Sequence, residues 1–398
     1  MEKEQLEKEI SKLKTLLMEN LTVNLGVTAV DDHDYNRTKI LFENIVEKDV
    51  NDYCLKMGYN IKFRFIIKNN KGLSGIALNN TQEFKEMGIN IIIGHPSSTH
   101  CYVSMEYVNK NNMLLFSSSA QSSQLARKGD NLLRMHPNDA YQGHVIAEML
   151  SSRGVRAIIV IELESLWADG IYKILEDIFL KKGGIVLERV KYNLELTDFS
   201  SHLARIEDIA VDAVRRYGRE HVNIVLLSYE EGIKIVKQAK DFSTLYSLYW
   251  FGSDSTARFL AYTSEASEEL THLKIFSPLP EPTKSQFYFS LNQSYYALTH
   301  EPLDFDTASK YDIAWILARA ILKSKTTDVK RLLEVIPEVA SMNFGASGWC
   351  KLDENGDRET ANYGIYGYEY VNGTATYKNY GVYDGTLGRV FWIEFPSS

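Results

Sequence analysis

The chain has 398 residues, of which 44% are hydrophobic, and its formal net charge at pH 7 is −8. This length exceeds what one hydrophobic core usually supports, so two domains are expected, and the hydrophobic content excludes a disordered chain. The acidic balance and the lack of a Lys/Arg-rich block argue against nucleic-acid partners, and no apolar run approaches the roughly 20 residues of a membrane-spanning helix.

The first 19 residues place Leu6, Ile10, Leu13 and Leu17 at the a/d spacing of a coiled coil, among alternating charges. Two interpretations stay open: a frayed leader helix, or the end of a stalk that lifts the protein off a membrane anchor absent from this chain. The N-terminus also lacks the apolar core of a signal peptide, which indicates either a cytosolic protein or an exported protein trimmed behind its export signal. Removal of such an anchor would also explain it.

The next part of the chain alternates predicted strands and helices. We predict a strand over 22–29, a polar loop over 30–35 and a helix through 45–57. The alternating apolar pattern of 61–68 predicts a second strand, and 81–87 a further helix. Alternation this regular favours a doubly wound parallel sheet.

Two short apolar runs, Ile91–Gly94 and Met113–Phe116, each lead into a hydroxyl-rich turn. Their length suits buried parallel strands, and the amphipathic residues between them suit a crossover helix. In such a βαβ unit, ligands collect at the carboxyl ends of the strands, where loop amides and helix N-termini face them. The turns 96–99 and 117–121 therefore predict a receptor for a small carboxylate.

A second series with the same pattern begins near Gly143. Its predicted strands are 157–161, 185–192, 223–227 and 245–251, and its predicted helices are 143–152, 168–180, 199–217 and 230–239. Three later helices are predicted over 286–297, 308–323 and 329–340, and hairpins over 364–395. No low-complexity linker separates the two series, so we expect short crossings and a hinge between two similar α/β lobes.

Segments in a particular order resemble a known family: IIIGHPSST, MLLFSSSAQSSQLARKGDNLLRMHPND, AIIVIELESLWADG, VLLSYEEGIKIVKQA and YWFGSDS. They are similar to the type I periplasmic binding proteins of the branched-chain amino acid kind, which include the Leu/Ile/Val-binding proteins of ABC importers. The likeness extends from about Asn24 to Phe395. Within it, Gly345–Asp357 resembles the strand and D-x-x-G-D turn at the family's third crossing between lobes.

The resemblance implies an α/β fold of two doubly wound parallel-sheet lobes joined by a hinge, preceded by the N-terminal leader helix. Lobe 1 would comprise residues 20–139 and 278–345, and lobe 2 residues 140–277 and 346–398. Residues 1–19 would be the leader or stalk.

In that family, turns of lobe 1 hold the ligand's carboxylate and an acid of lobe 2 holds its ammonium group. The ligand-binding residues implied for this chain are Ser98, Thr99, Ala120 and Gln121 in lobe 1, and Trp167, Tyr229 and Asp254 in lobe 2. Gln121 stands where the family usually has Thr, a change that keeps the backbone N–H and alters the side-chain contact.

The physical chemistry of a zwitterion agrees with these positions. Such a ligand leaves water only if both of its charges find partners, because a buried unpaired charge costs several kcal/mol. Hydroxyls and strand-end amides suit the carboxylate, and Asp254 suits the ammonium group. Tyr229 can add a cation–π contact, and Trp167 can cover the apolar part.

Structural roles compete with these assignments. Ser98 and Thr99 suit the capping of the helix that follows them. Trp167 also suits the core of lobe 2, and Asp254 the N-cap of a short helix. His95, after a strand-end glycine, is interpreted as a structural histidine.

No metal or cofactor is expected. The three cysteines, Cys54, Cys101 and Cys350, are too few and too scattered for a disulfide framework or a zinc site. The acidic segment Asp353–Asp357 lacks the spacing of a calcium-binding loop and is interpreted as a hairpin turn.

The resemblance implies an extracytoplasmic solute-binding protein of an ABC importer, which captures an amino acid or a similar small zwitterion by hinge closure and delivers it to a permease. The alternative is the ligand-sensing extracellular domain of a receptor for an amino acid or amide. An enzyme is not expected, because the chain has no G-x-S-x-G elbow, P-loop or H-E-x-x-H motif, and no G-x-G-x-x-G after its first strand. A membrane partner is expected only through an anchor absent from this chain.

Overall fold

A computed structural model of the protein describes residues 21–257 and 265–395, so the predicted leader helix over 1–19 lies outside the described residues. The chain divides into two compact units. Unit 1 contains the described residues up to Asn138 together with Pro282–Ala361, and unit 2 contains Asp139–Glu281 and the described residues from Asn362 onward. Within the described ranges, none of the helices has the length and apolar character needed to cross a membrane.

The elements are numbered here in chain order. The strands are β1 (Leu21–Ala29), β2 (Ile61–Asn69), β3 (Ile91–Ile93), β4 (Leu114–Ser117), β5 (Leu132–Arg134), β6 (Ala157–Leu163), β7 (Ile185–Tyr192), β8 (Val222–Leu227), β9 (Trp250–Phe251), β10 (Ser277–Glu281), β11 (Asn362–Val371), β12 (Thr374–Asp384) and β13 (Arg389–Trp392). The helices of the first part are α1 (Asp32–Leu41), α2 (Glu47–Lys56), α3 (Ser74–Glu86), α4 (Ser98–Lys110), α5 (Tyr141–Ser152) and α6 (Leu166–Lys181). They are followed by α7 (Ser200–Tyr217), α8 (Gly232–Ala239), α9 (Ser243–Ser247), α10 (Ser267–Leu273), α11 (Gln286–Thr299), α12 (Phe305–Ser324) and α13 (Val329–Ser341).

Unit 1 is built on a sheet with the strand order β2-β1-β3-β4-β5, in which all neighbours run parallel. Both faces of the sheet are covered. Ile91 and Ile93 of β3 belong to a buried cluster with residues of α1, α2, α12 and α13. Ile92 belongs to another cluster, with Phe84 of α3 and Met105 of α4. Helices on both faces explain why β3 is an uninterrupted apolar run, and they confirm the predicted doubly wound sheet.

Unit 2 combines a parallel sheet, in the order β7-β6-β8-β9, with an antiparallel sheet, in the order β10-β11-β12-β13. The second sheet confirms the hairpins predicted over 364–395. The parallel sheet packs its apolar residues, such as Ile159 and Ile161, with Ile206 of α7 and Trp250 of β9.

The predicted polar loop over 30–35 is wrong, because α1 already begins at Asp32. Asp31 is its N-cap, and the Asp31 carboxylate accepts a hydrogen bond from the Asp34 N–H at 2.9 Å. The acidic residues in the first turn also interact favourably with the positive end of the helix dipole. The polar residues that suggested a loop are therefore the N-terminal signal of a helix.

The predicted strand over 245–251 is also wrong for most of its length. Residues 243–247 form α9, and only Trp250–Phe251 form a strand. The Glu207 carboxylate, from α7, accepts the N–H groups of Thr244 at 2.8 Å and Leu245 at 2.9 Å. A carboxylate distant in sequence thus satisfies the first amides of this helix, and it overrides the β-propensity of the aromatic residues.

The units cross at 138/139, 281/282 and 361/362, whereas the sequence analysis placed these crossings at 139/140, 277/278 and 345/346. The third crossing lies later because the segment 346–361 is tied to unit 1. Asp312 accepts the N–H groups of Ala346 and Ser347, each at 2.8 Å. Asp357 forms a buried ion pair with Arg134, with an Nη2–Oδ2 distance of 2.5 Å.

Candidate functional site

The hydroxyl-rich turns after β3 and β4 lie at the carboxyl edge of the unit 1 sheet. Ser98 and Thr99 are the first two residues of α4, and the side chain of the N-cap residue Ser97 makes no capping hydrogen bond. The first amides of a helix have no partner within the helix, and they carry its positive end. This end of α4 therefore suits an anionic group.

Ser98 joins the two turns. Its Oγ accepts the N–H groups of Gln121 and Ser122, each at 3.2 Å. A hydroxyl has two acceptor positions and one proton, so these two bonds leave the Ser98 proton to be donated. Among the described residues, the structure shows no acceptor for this proton. Ser98 and Gln121, both implied by the resemblance, are thus brought together, with a hydroxyl ready to donate.

Ala120 has a different environment. It is fully buried, and its N–H donates to Ser117 Oγ at 3.0 Å. Its carbonyl accepts from Arg134 Nη1 at 3.3 Å. The Ala120 amide is therefore committed within unit 1 and supports the turn that carries Gln121, while its contact with a ligand stays a prediction.

A cavity of about 350 Å³ opens beside these turns in unit 1. It combines hydroxyl groups with an apolar wall, and it is lined by Ser74, Ser98, Thr99, Tyr102, Val103, Ser122, Gln124 and Leu125. The cavity contains two of the predicted site residues, Ser98 and Thr99.

Unit 2 groups the other three predicted residues. Trp167, the second residue of α6, stacks on Tyr229, with ring centroids 4.6 Å apart and an angle of 25° between the ring planes. The N-cap Ser165 accepts from the Ala168 N–H at 3.2 Å and so fixes the start of α6. Tyr229, just past β8, is 42% exposed. The pair forms a partly exposed aromatic wall, and its contact with a ligand stays a prediction.

Asp254 begins a short 3₁₀ turn after β9, and it is partly exposed. Burial, followed by the negative charges of Asp139 and Asp254, raises the pKa of Tyr229 to about 12. Asp139 and Asp254, together with Glu231, oppose ionisation of the same phenol. We call Trp167, Tyr229, Asp254 and Asp139 the half-site of unit 2. This half-site is negatively charged and aromatic, which suits a cation.

Sequence reasoning missed two residues of this half-site, Asp139 and Gln142. Gln142 is 2% exposed, and its Oε1 accepts the Asp254 N–H at 2.8 Å. Its Nε2 donates to Asp139 Oδ1 at 3.4 Å. Gln142 thus links the Asp139 carboxylate to the backbone of Asp254. The sequence contained one signal for Asp139: the polar pair Asn138–Asp139 lies between a strand and a helix, as the other predicted site turns do.

His95 is structural, as interpreted from the sequence. It is fully buried, and its Nδ1 lies 3.0 Å from both Thr28 Oγ1 and Asn70 Nδ2. Its Nε2 lies 2.9 Å from Thr81 Oγ1 and 3.2 Å from Ser104 Oγ. Burial and the neighbouring His100 lower the pKa of His95 to about 3, so the ring is neutral and holds together the polar core behind the β3 turn.

Comparison with known proteins identifies the family and the fold of the chain. The family model for the receptor family ligand binding region matches residues 48–370. An uncharacterized protein of Methanocaldococcus jannaschii is 22% identical over 366 residues, which are 87% of this chain and 85% of that protein. An ABC transporter substrate-binding protein from Desulfitobacterium hafniense, solved in complex with Leu, has 17% identity and a TM-score of 0.65, covering 90% of this chain and 100% of that one.

The branched-chain amino acid transporter substrate-binding protein LivJ from Streptococcus pneumoniae, solved with isoleucine, has 18% identity and a TM-score of 0.62. That match covers 90% of this chain and 99% of the other. The chain therefore belongs to the receptor family ligand binding region, and its fold is that of the type I periplasmic binding proteins.

Proposed function

We propose that the chain is an extracytoplasmic solute-binding protein that captures an amino acid, or a similar small zwitterion, and delivers it to the permease of an ABC importer. The observation that carries the proposal is the opposite chemistry of the two half-sites. Unit 1 offers proton donors and a helix N-terminus, and unit 2 offers carboxylates and aromatic rings. One ligand with an anionic and a cationic group would satisfy both.

The carboxylate of the ligand would bind to unit 1. Ser98 Oγ retains a proton for donation, and the first turn of α4, which includes Thr99, has no side-chain cap. Hydrogen bonds to an ionised acceptor are roughly twice as strong as neutral ones. Because the amides of Ala120 and Gln121 already donate to serine hydroxyls, the hydroxyl of Ser98 is the main donor in this proposal.

The ammonium group would bind to unit 2. Asp254 and Asp139 both act on Tyr229. The Gln142 side chain donates to the Asp139 carboxylate and accepts the Asp254 backbone N–H, so it holds the two residues in place. The stacked rings of Trp167 and Tyr229 give an aromatic surface for the cation and for the apolar part of the ligand. The Leu and isoleucine in the two solved relatives support a branched-chain side chain.

No chemical step is part of this function, and both solved relatives are substrate-binding proteins. Delivery to a permease requires a location outside the cytoplasm, which is part of this proposal. A second candidate is the sensing domain of a receptor for an amino acid or amide. The description of the matched family as a receptor ligand-binding region favours it, and it uses the same half-sites.

A thermal-shift screen against amino acids, amides, amines and short carboxylates tests the proposal. A ligand present at 100 times its dissociation constant stabilises a protein by about 2.7 kcal/mol, so we expect a clear rise in melting temperature with one or more apolar amino acids. Simple amines and simple carboxylates carry one charge each, and they are expected to shift it less. Stabilisation by a single-charge compound alone, with no response to any zwitterion, would contradict the proposal.

A further inference from the structure

Arg134, the last residue of β5, is fully buried and uses its whole guanidinium group within unit 1. Its Nε donates to Asp357 Oδ1 and its Nη2 to Asp357 Oδ2, both at 2.5 Å. Its Nη1 donates to the carbonyl oxygens of Ala120 at 3.3 Å and Ser122 at 2.8 Å. The planar fork of an arginine can bind in these directions at once, which the compact ammonium group of a lysine cannot do.

The turn Ser118–Ser122 is therefore held along both edges of its backbone. Its amides donate to the hydroxyls of Ser117 and Ser98, with N···Oγ distances of 3.0 to 3.2 Å. Its carbonyls accept from Arg134. Because Ser98 is bonded to this turn, the direction of its hydroxyl depends on where Arg134 keeps the turn.

We propose that Arg134 is a positioning residue for the carboxylate half-site: it fixes the turn that orients Ser98 and so raises the affinity for the ligand without touching it. This inference rests on the proposed function. Arg134 has no exposed surface, so direct contact with the ligand is excluded. Its effect must pass through the carbonyls of Ala120 and Ser122 and through the amides that donate to Ser98.

Asp357 supplies the matched control. It neutralises the buried charge of Arg134, and an unpaired buried guanidinium would be costly. Within the part of the chain that the structure describes, the partners of Asp357 lie outside the turn: its carboxylate bonds to Arg134, and its N–H donates to Asp353 Oδ1 at 3.0 Å. Arg134→Lys and Asp357→Asn therefore disturb the same ion pair, but only Arg134→Lys removes the donors to the turn.

The test compares wild type, Arg134→Lys and Asp357→Asn by two measurements. Calorimetric titration uses leucine, and hydrogen exchange of the peptide containing residues 118–125 is followed without ligand. We expect Arg134→Lys to weaken leucine binding about tenfold or more, as for a lost bond to a charged donor, and to accelerate exchange in the turn. Asp357→Asn is expected to lower the melting temperature while keeping the turn protected and the affinity within about threefold.

Wild-type affinity or wild-type exchange in a folded Arg134→Lys protein would overturn the inference. If that variant does not fold, the Asp357→Asn variant tests the inference. A tenfold loss of leucine affinity with unchanged hydrogen exchange in the turn would overturn the inference, whereas retained affinity and retained protection of the turn from exchange support it. If the wild type binds no amino acid, the proposed function fails separately, and the exchange measurement still shows whether Arg134 fixes the turn.

Discussion

Replacing Asp254 with Asn is expected to weaken the binding of an α-amino acid about 30-fold or more while leaving the fold intact. In the proposed complex, Asp254 faces the ammonium group of the ligand, and removing one partner of a desolvated charge pair costs about 2 to 5 kcal/mol. That loss corresponds to an affinity about 30-fold to several thousandfold weaker. Isothermal titration calorimetry at constant pH and ionic strength measures it directly.

Asp241→Asn is the matched control for this experiment. Asp241 is an exposed acid of unit 2, so its substitution makes the same change in net charge on the same unit. The control should bind as the wild type does. Unchanged affinity in Asp254→Asn, or an equal loss in Asp241→Asn, would remove Asp254 from the site.

The stability of unit 1 is expected to fall steeply in acid because of His95. Burial lowers its pKa to about 3 in the folded state, while an unfolded histidine titrates near pH 6.5. Below about pH 6.5 the unfolded chain therefore binds a proton that the folded chain refuses. The contribution of neutral His95 to the free energy of unfolding is fully present above that pH, and about 2 to 3 kcal/mol of this free energy is lost by about pH 4.5. Burial also lowers the pKa of His136, to about 4, which adds to the trend.

Comparison with His95→Gln isolates this contribution. The variant should be less stable than the wild type at neutral pH, because the ring bonds to Thr28 and Thr81 are lost. The difference in the free energy of unfolding should then narrow as the pH falls, since glutamine does not titrate. Urea unfolding, monitored through hydrogen exchange of the peptide that contains β3, measures this difference at each pH. A difference that stays constant from about pH 7.5 to pH 4.5 would show that His95 is protonated equally in both states.

The sheets were predictable because their strands are marked by local signals. Ile91–Ile93 and Leu114–Ser117 are short apolar segments that end in polar turns, and both faces of the sheet bury them. The antiparallel strands of the tail are rich in Tyr and Gly, and the turn Asn372–Gly373 separates β11 from β12. Where burial on both faces sets the pattern, the pattern identifies the element.

Two of the errors occur where a distant residue decides the local structure. Residues 243–247 are helical because Glu207 accepts the first amides, a contact that no pattern within the segment shows. The third crossing lies after Ala361 because Arg134 binds Asp357, 223 positions further along the chain. Such contacts follow from the tertiary fold and not from sequence periodicity.

In the candidate site, too, some residues were predictable from the sequence and others depend on contacts between distant parts of the chain. The resemblance implied Ser98 and Gln121, and Trp167 and Tyr229, as site residues, and the structure brings each pair together. It did not identify the residues that hold them. Gln142 bonds to Asp254 across 112 positions of the chain, so only folding reveals its role.

The central claim is that one ligand uses both half-sites, with its carboxylate on Ser98 and its ammonium group on Asp254. Calorimetric titration of wild type, Ser98→Ala and Asp254→Asn with leucine, isocaproate and isopentylamine tests this claim most directly, because the two analogues each keep one charge of leucine. We predict that Ser98→Ala weakens the binding of leucine and isocaproate by about 1 to 3 kcal/mol and leaves the binding of isopentylamine unchanged. Asp254→Asn is predicted to weaken the binding of leucine and isopentylamine and to leave the binding of isocaproate unchanged. If both variants weakened the same single-charge analogue, or if neither affected leucine, the assignment of one charge to each half-site would be contradicted.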